Sequence, residues 1–201
     1  MSVVLLWTLI GYLLGSVPFS LIIGKAFAKT DIRMVGDGNP GGTNALKAGG
    51  LKAGIPAILL DIAKGFLPIF FARRSGVTGW ELIPICLGPI LGHAFSPFLK
   101  FHGGKALGAT GGVWLALIGL WAFPIYGTLA VPFTIFQDEN AWSANAGMLA
   151  LTGYAIIFGD AWMFTFAILN TLLIAWTHRR DLVRPPRLRE WVLKRAIGRN
   201  A

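Results

Sequence analysis

GDGNPGGTNALKAGG (Gly36–Gly50) lies between two apolar runs, VVLLWTLIGYLLGSVPFSLII (Val3–Ile23) and IPAILLDIAKGFLPIFF (Ile55–Phe71). It holds six glycines, two asparagines, a threonine and a lysine, none of which a plain connection between membrane helices requires. Repeated glycine lets backbone N–H groups turn toward one point, and lysine adds a cation, the set that wraps a phosphate. Glycine costs roughly 1 kcal/mol per position against alanine inside a helix, so the stretch predicts a loop. A flexible linker would mix serine and charge instead. Two further polar stretches border apolar runs: HGGKALGATGG (His102–Gly112) and THRRDLVR (Thr177–Arg184).

The 201 residues are 55% hydrophobic and 13% charged, with a mean hydropathy of +0.64. Soluble domains average about 25% charged residues. The chain therefore reads as an all-α polytopic membrane protein, a single integral-membrane domain over residues 1–201 with glycine-rich cytoplasmic loops. A spanning helix needs about 20 apolar residues, fewer where it is broken or buried. Seven transmembrane helices follow, some short or kinked: 3–23, 55–71, 80–99, 106–121, 122–136, 142–158 and 161–176. The run 106–136 is too long for one straight span and contains Pro124, Gly127 and Pro132, so it is read as two. The first segment lacks a basic start and a small-residue cleavage site, and is expected to stay as a helix.

Charge orients the chain. Of eighteen Lys and Arg residues, fifteen fall between Lys25 and Lys52, at Lys100 and Lys105, or from Arg179 to Arg199. The positive-inside rule puts these loops and the C-terminus in the cytoplasm and the N-terminus outside. All three polar stretches then share one face, as does the acidic loop 137–140, which fits such a face poorly. The net charge of +9 does not point to nucleic acid, because no basic stretch is interleaved with aromatics. Cys86 is the lone cysteine, so neither a disulfide framework nor a cysteine metal cluster is available. No 20–50-residue period repeats, which argues against many transporter folds.

Within the stretches, Gly103, Gly104, Lys105 and Thr110 offer close approach, a charge and a hydroxyl, without a Walker pattern. Their bland alternative is a small-residue helix start packed on a neighbour. His178 precedes Arg179 and Arg180 and could take a proton from a hydroxyl, or be an interfacial histidine. His93 and His102 read as orienting or structural groups. Asp61 and Lys64, three apart within a span, read as a local ion pair.

Taken in order, GSVPFSLIIGK (Gly15–Lys25), DGNPGGTNALKAGG, LDIAKGFLP (Leu60–Pro68), GHAFSPFLKFHGGKALGAT (Gly92–Thr110) and the terminal His-Arg cluster resemble the PlsY family. These are bacterial integral-membrane acyl-phosphate:glycerol-3-phosphate acyltransferases. The resemblance implies seven helices, a cytoplasmic site in the plasma membrane, and a role in phospholipid synthesis. It implies transfer of a fatty acyl chain from acyl phosphate to the sn-1 hydroxyl of glycerol 3-phosphate, with no metal and no cofactor. Asn39, Thr43, Asn44, Lys105 and His178 match family site positions. Asp37 stands where serine is usual, Lys47 where arginine is usual, and Asp181 where asparagine is common. The run Lys105–Thr110 is one residue longer than the usual K-G-V-A-T.

The candidate catalytic residues are Asp37, Lys105 and His178. The candidate substrate-binding residues are Gly38, Asn39, Gly42, Thr43, Asn44 and Lys47, then Gly103, Gly104 and Thr110, then Arg179, Arg180 and Asp181. Lys105 and the glycine loops are expected to hold acyl phosphate, with its chain between helices. Lys47 and the His178–Arg180 cluster would hold glycerol 3-phosphate. His178, Asp37 or a substrate phosphate would take the proton, and Asp37 would pair with Lys47 or a terminal arginine. A monomer among membrane phospholipids is expected. The alternatives are a lipid enzyme with another acceptor or donor, and a non-catalytic lipid-phosphate binder or transporter.

Overall fold

The structure, a computed structural model, describes residues 2–197. Every regular element among them is helical, apart from one isolated antiparallel bridge between Gln137 and Leu188. Among the described residues five stretches are long and apolar enough to cross a membrane: Val3–Ala28, Gly42–Arg74, Gly79–Leu99, Leu107–Phe136 and Asn140–Phe158. A sixth apolar helix, Ala161–Thr177, is shorter. Leu9, Leu13, Ile157 and Phe158 are among many large apolar side chains left exposed on these helices. Water would not tolerate so much apolar surface; lipid does. The chain forms two compact units, Met1–Leu120 and Trp121–Ala201.

In the first unit, α1 (Val3–Ser16) ends where Pro18 breaks the ladder, and α2 (Phe19–Ile23) continues into one π-turn, Gly24–Ala28. α3 (Gly42–Arg74) corrects the loop expected over Gly36–Gly50, because its helix starts at Gly42. The run Asn-Ala-Leu-Lys-Ala (44–48) carries good helix formers that outweigh the flanking glycines. The ladder then fails at Gly49 (φ −131°, ψ 15°) and Gly50 (φ 61°, ψ −158°), which leave the helical region. Arms 42–48 and 51–74 fold back on each other there. A Cβ on Gly42 would press on Ile58, and one on Gly54 would press on Leu46. Those pairs would lie far apart along one straight helix. Ala45 and Ala57 share a buried cluster with Leu21 and Ile32, which holds the short arm down.

α4 (Leu82–Ala94) lies along α1, with Gly15 against the Pro89 backbone and Gly92 against Tyr12. α5 (Leu107–Ile118) lies along the long arm of α3. A Cβ on Gly65 would overlap the Ala109 carbonyl, and one on Gly112 the Ile62 carbonyl. The expected division of 106–136 is present, but at Gly119 (φ 67°, ψ −155°), while Pro132 stays inside the next helix.

The second unit holds α6 (Ala122–Phe136), α7 (Asn140–Phe158), α8 (Ala161–Thr177), the short α9 (Arg179–Leu182) and α10 (Glu190–Ile197). The acidic loop that looked misplaced on a basic face has partners. Asp138 N–H donates to Arg187 O (3.0 Å) and Arg189 N–H to Phe136 O (3.0 Å). The Arg189 guanidinium lies 3.5 Å from Asp138, and Arg184 lies 3.8 Å from Glu139. The loop and the basic tail therefore lie on one side.

Two glycine substitutions separate conformation from space. A Cβ on Gly50 meets nothing within 4 Å, so Gly50→Ala costs only backbone strain, about 1–3 kcal/mol. Gly112→Ala forces α3 and α5 apart. Thermal unfolding in detergent should show both variants melting below the parent. A Gly50→Ala protein with the parent midpoint would rule out the fold-back.

Candidate active site

The fold-back of α3 carries Gly42 onto Ile58, and Asp37 and Asn39 before it meet the loop that enters α5. Lys105 joins the two. Its ammonium donates to Asp37 Oδ2 at 2.6 Å, and its backbone N–H donates to Asn39 Oδ1 at 3.1 Å. Asn44, nearly fully buried, donates its amide to Asp37 Oδ1 (2.8 Å) and Asn39 O (2.9 Å). The Asn39 N–H also donates to Asp37 Oδ1, at 3.2 Å. The Nζ of Lys47 lies 3.1 Å from where a Cβ on Gly36 would stand. Asp37 is thus held by the Lys105 ammonium, the Asn44 amide and the Asn39 N–H.

Partial burial disfavours the charged form of Asp37. The hydrogen bond and charge of Lys105, with the Asn44 and Asn39 donors, outweigh it and hold the carboxyl at about 2. Such a carboxylate is a weak base at neutral pH. Its partner is Lys105, where Lys47 or a terminal arginine was expected.

The N–H groups of three candidate glycines are bonded to backbone carbonyls. Gly103 N–H donates to Ala94 O (3.1 Å), Gly104 N–H to His93 O (3.0 Å) and Gly38 N–H to Val35 O (3.2 Å). These donors are occupied by backbone, so the residues supply close approach. A Cβ on Gly104 would overlap His93 Nε2. Gly42 and exposed Thr43 open the short arm, where a helix start leaves N–H groups without ladder partners. Thr110 is buried in the turn of α5 that packs on α3.

Beneath the loops lies a buried polar cluster that the sequence showed only in part. The expected Asp61–Lys64 pair is present at 2.8 Å. Ser20 donates to Asp61 Oδ2 (2.6 Å), and Lys64 donates to Val17 O (3.0 Å) at the break before Pro18. His93 Nδ1 stands 3.8 Å from Asp61 Oδ1. Ser20 and Val17 could not be foreseen as partners, since both lie more than forty positions away. A small cleft lined by Pro40, Lys64, His93, Ser96 and Gly104 connects this cluster to the loops.

The third stretch belongs to the second unit. His178 ends α8, nearly fully buried, with Nδ1 2.8 Å from Ile174 O. A carbonyl can only accept, so Nδ1 carries a hydrogen. Arg179 folds onto Trp176, donating to its carbonyl (2.8 Å) with its guanidinium 4.4 Å from the ring. Arg180 is exposed, and the Asp181 N–H donates to His178 O (2.9 Å).

Comparison with known proteins fits this arrangement. The family model described as glycerol-3-phosphate acyltransferase matches residues 5–186. A glycerol-3-phosphate acyltransferase of Endomicrobium trichonymphae is 38% identical over 92% of both chains. Two crystal structures of PlsY (YgiH), an integral membrane glycerol 3-phosphate acyltransferase, share the fold. The glycerol 3-phosphate form aligns with a TM-score of 0.79 at 29% identity, covering 91% of this chain and 92% of that one. The lysophosphatidic acid form aligns at 0.78 and 29%, covering 91% of each. With a fold, a membrane body and a family match over nearly its whole length, the chain belongs to the glycerol-3-phosphate acyltransferase family.

Proposed function

We propose that this membrane enzyme transfers a fatty acyl group from acyl phosphate to the sn-1 hydroxyl of glycerol 3-phosphate, giving lysophosphatidate. Its family makes it a glycerol-3-phosphate acyltransferase; the donor and the residue roles are our reading. The observation that carries it is the junction of Asp37, Asn39 and Lys105, which sets a cation at the meeting point of two loops.

Acyl phosphate is already activated, so no covalent enzyme intermediate is needed. The hydroxyl oxygen forms the ester bond as the carbonyl–phosphate bond breaks, and inorganic phosphate leaves. Positioning and charge supply most of the rate. Lys105 holds the phosphate of the donor, aided by the start of the short arm at Gly42 and Thr43. Lys47 holds the acceptor phosphate. Asp37 acts as the counter-ion that fixes Lys105. An unpaired carboxylate about 4 Å from a phosphate charge costs roughly 4 kcal/mol at an effective dielectric near 20, and Lys105 offsets this. The hydroxyl proton passes to a substrate phosphate. The whole chain acts as one monomeric domain in the bacterial plasma membrane, with the N-terminus outside and the C-terminus cytoplasmic. The pairing of the acidic loop with the basic tail supports that orientation.

Lys105→Ala should lower turnover of acyl phosphate and glycerol 3-phosphate at least 100-fold in a protein that melts normally. Parent-like rates would remove the phosphate grip.

Asp37 should show no titration in the working range. Its folded pKa lies below the ordinary carboxylate value, so its pairing is present above that value and is lost only as pH falls toward about 2. The pH–rate profiles of the parent and Asp37→Ser should therefore keep the same shape between pH 5 and 8. Loss of an ionisation in that range in Asp37→Ser would make Asp37 the base.

Single cysteines placed by substitution at Thr43 and Arg187 should resist a membrane-impermeant reagent in intact cells, and one at Gly76 should react. Labelling at Thr43 from outside would reverse the orientation.

A further inference from the structure

At the end of α3 remote from the polar loops, a groove of about 480 Å³ opens between the helix ends of α3 and α5. This falls within the usual size of ligand pockets, roughly 300–1,000 Å³. Phe66, Phe70 and Leu115 form its apolar wall, and Arg73 and Arg74 stand at its mouth. From Asp61 to Arg74 the helix climbs about 20 Å, which places the groove in the leaflet opposite the candidate site.

The two arginines have different surroundings. Arg73 donates to Ala116 O (2.6 Å) and Leu117 O (3.3 Å), the open carbonyls at the end of α5. Arg74 lies over the Phe70 ring at 5.0 Å, and Phe70 stacks on Phe66 with centroids 5.3 Å apart. Among the described residues Arg74 has no salt bridge to a carboxylate. Arg73 alone accounts for the helix end, so the second guanidinium calls for another explanation.

We propose that the groove holds one anionic phospholipid. Its phosphodiester pairs with the planar fork of Arg74, which suits a phosphate oxygen pair. One acyl chain lies along Phe66, Phe70 and Leu115. Two adjacent cations without a carboxylate repel a choline headgroup, so an anionic lipid is preferred over a zwitterionic one. This site does not depend on the identity of the acyl donor.

The test titrates the purified full-length protein in detergent with phosphatidylglycerol or phosphatidylcholine of the same chains, and counts retained lipid by native mass spectrometry. The parent should keep one phosphatidylglycerol at least tenfold more tightly than phosphatidylcholine. Arg74→Gln should lose that preference while keeping parent turnover, and Phe70→Ala should weaken both lipids. Equal retention of the two lipids by the parent would overturn the proposal, as would an unchanged preference in Arg74→Gln. If Phe70→Ala instead raises KM for long-chain but not short-chain acyl phosphates, with lipid retention unaltered, the groove belongs to the donor chain and the proposal fails.

Discussion

Asp61 and Lys64 are ions in an apolar interior, and neither could stay there alone. An unpaired charge in a membrane interior costs several kcal/mol, so each must find partners. The pair at 2.8 Å meets only part of that demand. The Ser20 hydroxyl and the Val17 carbonyl, opened by the proline at 18, supply more. One ion pair in the long arm of α3 thereby ties the break at Pro18 and the start of α2 to α3. His93, whose backbone carbonyl receives the Gly104 N–H, continues the same cluster into α4. The loops that bring Lys105 to Asp37 rest on this floor.

Much of the architecture was legible because membrane spans announce themselves by apolar length. The helical character, the split of 106–136 and the local Asp61–Lys64 pair could all be read from the residues. The fold-back was not, since a glycine pair inside a polar stretch reads equally as loop. Only the contacts of Gly42 with Ile58 and Leu46 with Gly54 reveal a reversal. Lys105, Asp37 and Asn39 were legible as candidates, but their mutual partners were not. A carboxylate 68 positions from its lysine leaves no local signal.

Glycine content misled in an instructive way. The sequence suggested donors turned toward a phosphate, whereas the N–H groups of Gly38, Gly103 and Gly104 are bonded to backbone carbonyls. What the small residues provide is proximity. His93 can lie directly under Gly104 because that residue has no side chain, and α5 can start beside Asp61 because Gly108 leaves room. Charge on such a frame comes from few groups, each at a fixed place.

The hairpin at Gly49–Gly50 sets how far the polar loop stands back from the turn. Gly42 packs on Ile58, so the polar loop joins the hairpin about 12 Å from its turn; on the proposed function a headgroup held by Lys105 would leave its hydrocarbon tail among lipid. No chain has to be lifted into water. The water-soluble reactant makes the longer journey, and a lipid product can leave sideways into the leaflet where its tail already resides.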